Sequence, residues 1–405
     1  MTIQTWLGGI IIAWLLAQAV LLFAYRHALA ARWREPVLRY PVVIFESDDW
    51  GAGPLDQAKA LENLREILAR FKDQTGRTPV STLGIILATA DTQRIRNAGG
   101  TEYFSANLLD PVFYPLREVM EKGVRQGVFA LHLHGMEHYW PKTLMQAAVK
   151  DASVRNWLQS DAIPGTELLP SPLQARWTDA SVLPSRALES KVLHAAVTEE
   201  AILFGTCFNV RPRVAVATTF VWTDDVEAAW AKAGIDVIIT PGVRHTCRDA
   251  TGKPGGGDKR MVNGELSKSG QIYLVRDVYF EPTLGHTPAR LVNDAKEHVR
   301  LGRPCLVEMH RFNFIGAAEN CDKSLRALEA AFEQLQRSFS EIRFMTSLEL
   351  ADAMRTKSPT VVETKPTSRI RIWLRRIEQI RGFSKLARIS GLVLPLWMIA
   401  KAVGA

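Results

Sequence analysis

Apolar residues fall into short blocks along the chain, separated by polar, Gly- and Pro-containing stretches. Pro41 to Phe45 predicts a buried strand. Leu61, Leu64, Ile67, Leu68 and Phe71 then recur at helical spacing within residues 54–72. Residues 80–89 predict a second strand, 114–122 a helix closed by Gly123, and 129–133 a third strand. A helix at 187–204 closed by Gly205, an apolar stretch at 214–222 and a helix at 224–233 follow. Strands at 236–240, 272–277 and 304–309 are interleaved with helices at 291–301 and 323–339, and a strand at 341–345 and a helix at 347–354 end the series. Repeated strand–helix units imply an α/β fold with a mostly parallel sheet or barrel, whose chemistry sits at the carboxyl ends of the strands. Two stretches break the rhythm. Residues 141–185 read as an insertion near the site mouth, with Trp157 and Trp177 as packing anchors or sugar-stacking faces. Residues 248–270 read as a flexible Gly-rich loop.

The two ends follow other patterns. Trp6 to Tyr25 contains no charged residue and is long enough to span a bilayer as a helix. No Lys or Arg precedes it, which argues for an uncleaved anchor over a signal peptide. Arg26, Arg32, Arg34 and Arg39 all follow it, so the positive-inside rule places the rest of the chain on the cytoplasmic face, with the periplasm as the alternative. After a polar linker at 356–368, Ile370, Trp373, Leu374, Ile377, Ile380 and Phe383 recur at helical spacing among arginines, as in a basic amphipathic helix on a membrane surface. Ile389 to Ala400 is apolar but too short to span, so it reads as interfacial or re-entrant. Packing of this tail on the main body is the competing reading. The predicted division is therefore an anchor and basic flank at 1–39, a catalytic body at 40–355 and a membrane-associated tail at 356–405.

Charge sharpens this division. The net charge is +8, of which the first 39 residues carry +3 and residues 369–405 carry +7, leaving −2 for the body. A nucleic-acid partner would require a basic patch on the folded domain, whereas basic ends flanking apolar segments suit membrane lipids. The cysteines Cys207, Cys247, Cys305 and Cys321 form no C-x-x-C pair and suggest no disulfide framework, which favours a reducing compartment.

Three of the strands end in chemistry. Phe45-Glu46-Ser47-Asp48-Asp49-Trp50-Gly51 places adjacent carboxylates at the end of an apolar strand, where their repulsion calls for a cation. His132-Leu133-His134-Gly135-Met136-Glu137-His138 ends another strand in a His-x-x-x-His pair. Asp49, His134 and His138 would give a divalent cation, zinc by ligand type, three ligands and leave a position open for water. His132 alternates with His134 and reads as a core histidine, a support for the site or a ligand in place of His134. A third strand ends at His310.

The order of these motifs resembles the polysaccharide deacetylase superfamily, the chitooligosaccharide deacetylase type of carbohydrate esterase family four. The resemblance covers roughly residues 40–355. It implies a distorted (β/α) barrel and metal-dependent removal of acyl groups from sugars. By resemblance Asp48 is the base, Asp49, His134 and His138 hold the metal, and His310 is the general acid. Ser-Asp-Asp-Trp-Gly, His-Gly-Met-Glu-His and Met-His-Arg-Phe-Asn-Phe-Ile-Gly mark an atypical branch. The family's Arg-x-x-Pro-Tyr motif has no counterpart at 214–222, where a backbone donor near Thr219 or Phe220 would have to serve the oxyanion. Trp50, Glu137, Arg276 and Glu281 are candidate substrate contacts. Arg276 is equally open to orienting the base or to a surface ion pair, and Glu137 and Glu281 to replacing Asp48 as base. The expected function is deacylation of a sugar, lipid-linked or nascent at the inner membrane. The alternative is an inactive carbohydrate-binding or scaffold protein of polysaccharide assembly.

Overall fold

The computed structural model describes residues 3–257 and 259–404. Met1, Thr2, Asp258 and Ala405, which fall in the predicted anchor, loop and tail, lie outside the described residues. A nine-stranded sheet forms the body: β1 (Val42–Gly51), β2 (Ser81–Ile86), β3 (Phe129–Gly135), β4 (Val214–Val216), β5 (Val237–Thr240), β6 (Ile272–Val275), β7 (Val278–Tyr279), β8 (Cys305–His310) and β9 (Arg343–Phe344). The lateral order is β6-β5-β4-β3-β2-β1-β8-β7, with β9 paired to the start of β1, and all the pairings are parallel. Only Arg276 and Asp277 separate β6 from β7. One extended segment thus pairs with β5 through its first half and with β8 through its second, which closes the sheet into a ring. The ring is splayed at β3 and β4, whose register consists of Leu133 against Ala215.

Alternation along the strands sorts side chains to two faces. Val43, Phe45, Leu83, Ile85, Leu133 and Val307 face outward and pack under helices that include Gln57–Leu68, Tyr114–Arg125, Ser190–Phe208 and Ala318–Ser338. Val42, Ile44, Val214, Val237, Leu274 and Leu306 face inward and meet Leu350, Ala351 and Met354 of the last body helix, Ser347–Arg355. Further up, the same inward positions turn polar: Glu46 and Asp48 on β1, His132 and His134 on β3, Glu308 and His310 on β8. The barrel interior is thus an apolar lower layer beneath a charged upper one. Burial on both faces explains the near-continuous apolar runs.

Several predicted boundaries shift for local reasons. Gly123 lies inside its helix, because a Cβ there would stand 2.0 Å from the Phe129 ring. Gly205 is also internal, and the helix ends at Asn209 in the left-handed region (φ 52°). The 141–185 insertion contains the helices Pro141–Lys150 and Ala152–Leu158 over a small core of its own, in which Trp157 is buried. Trp177 belongs to the main core. The loop after β5 contains two short antiparallel ribbons.

The tail corrects the surface-helix reading. Leu374, Ile377 and Phe383 are covered by Leu21 and Leu29 of the N-terminal helices Ile3–Ala24 and Arg26–Arg34. Trp373 packs edge-to-face on Trp33 at 6.2 Å and donates to the Leu29 carbonyl. Arg376 is fully buried. It donates to the carbonyls of Leu301 (2.8 Å), Glu35 (2.7 Å), Pro36 (2.9 Å) and Gly302 (3.0 Å), with Glu35 itself paired to Arg303. One side chain therefore ties both chain ends to the loop before β8. Replacing Arg376 by Met should destabilise this end of the molecule by about 3 kcal/mol, because the carbonyls and Glu35 lose a buried partner. The check is the denaturant midpoint, together with faster tryptic cleavage in the 356–365 linker.

Candidate metal centre

At its upper end β1 carries one residue more than its neighbour. Ser47 pairs with Leu83 and Trp50 with Ile85, so Asp48 and Asp49 together oppose Gly84. This β-bulge breaks the strict alternation and lets adjacent aspartates serve one site. Asp49 takes a φ of 73°, an unfavourable conformation for a residue with a Cβ. The buried Arg311 holds it there by donating to the Asp49 carbonyl. Gly84 leaves room for Asp48, since a Cβ there would lie 2.4 Å from Asp48 Oδ1 and 3.2 Å from its Cα.

Asp49, His134 and His138 come together, with all three donor atoms within 4.8 Å of one another and all three residues buried. His134 Nε2 lies 3.4 Å and His138 Nε2 3.1 Å from Asp49 Oδ1. That oxygen has no hydrogen-bond partner among the described residues. His134 Nδ1 sits 3.0 Å from the Val216 carbonyl at the end of β4, which turns Nε2 toward Asp49. Two imidazole nitrogens converging on a carboxylate oxygen that has no hydrogen-bond partner in a buried layer fit a divalent cation.

Asp48 faces the other way. Arg276, at the β6–β7 junction, grips both of its oxygens at 3.2 and 2.5 Å. The same guanidinium lies 3.4 Å from Glu46 and 3.3 Å from Glu308, with its face on the Phe220 ring at 5.2 Å. Phe220 and Thr219 both have positive φ, which places that ring. Burial would raise the Asp48 pKa, but Arg276 and then His134 outweigh it and hold the carboxyl at about 2. Burial pushes Glu46 up to about 7, only partly offset by Arg276, and it accepts a hydrogen bond from Ser347. His132 stands 4.0 Å from Glu46, and burial lowers its pKa to about 3. It is a neutral part of the wall and not a metal ligand.

His310 is the register partner of Asp48 across β1 and β8. Its ring stacks on Phe312, and Nδ1 lies 2.6 Å from Glu281 Oε1. Asn313 fixes the pair by donating to the other Glu281 oxygen and to the His310 carbonyl. Burial disfavours the imidazolium, but the Glu281 hydrogen bond and the nearby Asp49 and Glu308 charges raise its pKa to about 10. At 27% side-chain exposure His310 is the most open of these groups, against 10% for Asp49.

The predicted substrate contacts fare differently. Trp50 is fully buried, donates to Ser47 Oγ at 2.8 Å and stacks near Phe314, so it is core. Arg276 is equally buried and grips Asp48, so it is neither a surface pair nor open to a substrate. Glu281 serves His310. Glu137 is buried against Arg176 at 2.5 Å and Tyr103 at 3.2 Å. It faces a cavity of about 950 Å³ behind the Met136–Glu137 turn, away from the metal ligands. The insertion does reach the site, through Glu167 paired at 2.9 Å with Arg311. Phe220 N–H donates to the Ala217 carbonyl at 3.0 Å, which removes it as an oxyanion donor. Gly84, Arg311, Asn313 and Glu308 were not singled out from sequence. Arg311 and Asn313 stand in the Met-His-Arg-Phe-Asn-Phe-Ile-Gly stretch, each followed by a phenylalanine.

No family model matches the sequence, and no curated protein matches it. Solved structures with a similar arrangement include a family 4 carbohydrate esterase from Streptomyces lividans in complex with acetate, at 10% identity over 76% of this chain and 92% of that one, TM-score 0.35. The Xyl-CE4 domain of a multidomain xylanase from the hindgut metagenome of Trinervitermes trinervoides gives 12% identity over 78% and 91%, TM-score 0.35. A CE4 family pseudoenzyme from Bacillus anthracis gives 9% identity over 76% and 66%, TM-score 0.36. The parallel ring, distorted at its splayed joint and closed by one shared segment, is a distorted (β/α) barrel.

The purified chain should contain about one divalent cation. Elemental analysis should show it lost in His134→Ala/His138→Ala while the circular dichroism spectrum persists, and full occupancy in that variant would refute the ligand set. Gly84→Ala should push Asp48 off Arg276 at a cost of about 1–3 kcal/mol, read from the denaturant midpoint, with the cation retained.

Proposed function

We propose that the chain is a metal-dependent deacylase that removes an acyl group, acetyl by resemblance, from a sugar. The observation that supports this most is the layout of one layer. Asp48 and His310 are register partners on neighbouring strands, and Asp49 with its two histidines lies at the same strand ends. A base, a metal-ligand set and an acid thus converge where a parallel barrel carries its chemistry. A zinc-type cation held by Asp49, His134 and His138 would supply an acidified water and polarise the acyl carbonyl.

The remaining work falls to the chain's own residues. Asp48 accepts the water's proton. Arg276 keeps it ionised at any physiological pH, so it is a weak base that needs an acidified donor. His310, protonated at neutral pH, gives its proton to the leaving amine or alcohol, and Glu281 holds the imidazolium in place. Arg276 and Glu281 are positioning residues.

The alternative, an inactive carbohydrate-binding or scaffold protein, draws support from the missing Arg-x-x-Pro-Tyr motif and from the committed Phe220 N–H. Turnover separates the two. For location, Trp6–Ala24 is an apolar, largely exposed helix, which supports an anchor in the inner membrane. We place the barrel on the cytoplasmic face, where a lipid-linked or nascent glycan would meet it. Labelling of a cysteine at Lys253 by a membrane-impermeant reagent in intact cells with an opened outer barrier would put the barrel on the other side.

In an acetate-release assay over acylated amino sugars, Asp48→Asn should keep the cation and lose roughly 10²–10⁴ in rate. Wild-type turnover in that variant would move the base elsewhere. Glu281→Gln removes a carboxylate that raises the His310 pKa, and the general acid must be protonated. The alkaline limb of the pH–rate profile should therefore move to lower pH, with the acid limb unchanged.

A further inference from the structure

The two chain ends meet below the barrel. The turn between Arg381–Ile389 and Val393–Ala402 bends by 103°, and its Ser390 carbonyl accepts from Trp14 Nε1 (2.6 Å) and Gln18 Nε2 (2.9 Å) of the apolar N-terminal helix. Ser390 Oγ returns a hydrogen bond to Gln18 Oε1 at 3.1 Å. Gln18, the polar residue inside the apolar run, is thereby 5% exposed and satisfied. Nonhelical backbone at membrane depth is tolerated where protein groups satisfy it, and this turn meets that condition. It lies seven residues from Tyr25, about 10 Å along the helix. Around it Ile389, Leu394, Trp397 and Met398 are exposed, as are Ile10, Leu16 and Phe23 on the helix. Arg381, Lys385, Arg388 and Lys401 border the apolar side chains, and Arg388 folds back to Ser384 Oγ at 3.1 Å. An apolar face bordered by cations matches a bilayer with anionic headgroups.

This foot is bolted to one particular end of the barrel. The carbonyls that receive Arg376 belong to Glu35, Pro36, Leu301 and Gly302, just before β1 and β8. They lie at the amino ends of the strands, whereas Asp48, His134 and His310 lie at the carboxyl ends. Resting on the membrane reading above, we propose that residues 3–34 and 366–404 form a single membrane-seated foot that holds the barrel with its catalytic mouth turned away from the bilayer. Val42 to Asp48 covers six strand rises, about 20 Å. A lipid-linked substrate reaches the site only through a glycan long enough to climb that height, and the sugar next to the lipid does not.

The helix Pro288–Arg300 offers a ruler, because it runs from the site end to the foot end. Leu284 is exposed just before it, and Arg300, whose carbonyl meets Arg375, ends it. The experiment uses the full chain in phosphatidylethanolamine–phosphatidylglycerol vesicles doped with headgroup-labelled acceptor lipid. Cys247→Ser and Cys321→Ser remove the partly exposed thiols, and a donor dye is placed on Leu284→Cys or Arg300→Cys. Energy transfer should be severalfold higher from position 300 than from position 284. Equal or reversed transfer in protein that floats with the vesicles would overturn the orientation and leave the anchor standing. Failure to float with the vesicles would remove the membrane reading and the orientation together.

Discussion

Arg276 brings one positive charge into a layer that also holds Glu46, Asp48 and Glu308, all of them buried. Burying an unpaired carboxylate costs several kcal/mol, so this layer tolerates its acids only because a guanidinium stands among them. One guanidinium cannot neutralise three carboxylates, even with the His310 imidazolium 3.8 Å from Glu308, and the layer resolves the mismatch by unequal sharing. Asp48 takes the bidentate grip and stays ionised. Burial raises Glu46 to about 7, which leaves it partly protonated near neutrality, and it pushes Glu308 up in the same direction. The charge state of the aspartate beside the candidate metal ligands is thus set by a residue at the β6–β7 junction, contributed much later in the chain.

Strain is concentrated around the same layer. Asp49, Thr219 and Phe220 have positive φ without being glycine, and each is held by a specific contact. Arg311 binds the Asp49 carbonyl, Arg248 donates to the Thr219 hydroxyl, and the Phe220 ring lies against Arg276. Conformations of this kind persist where surrounding structure overdetermines them. Here buried arginines do much of that holding, which accounts for Arg248, Arg276 and Arg311 being among the largest fully buried side chains.

Much of this was legible before any coordinates. The switch from Val42 and Ile44 to Glu46 and Asp48 at constant period two already encodes an apolar floor under a charged ceiling. The Asp-Asp and His-x-x-x-His spacings carried the cluster of Asp49, His134 and His138, because such candidate ligand sets are short-range signatures. What stayed hidden depends on partners far away in sequence or on missing atoms. Gly84 matters because Asp48 occupies the space its side chain would fill. Gly123 and Gly205 looked like helix ends because a terminating glycine and a packing glycine are written with the same letter. The apolar stripe of residues 370–383 looked like a membrane face because periodicity reports that a face is covered and is silent about what covers it.

The segment 272–279 occupies both edges of the sheet at once, and this sets an order on assembly. Until a growing chain has been extended past Arg276, the ring has two open edges, and the acids on β1 have no cation to bury against. Long-range pairings of this kind form late and slowly. Glu308 follows on β8, within the stretch that completes the ring. Closure of the barrel and completion of its buried charge layer therefore both wait for β8, and a nascent chain that ends before it has neither.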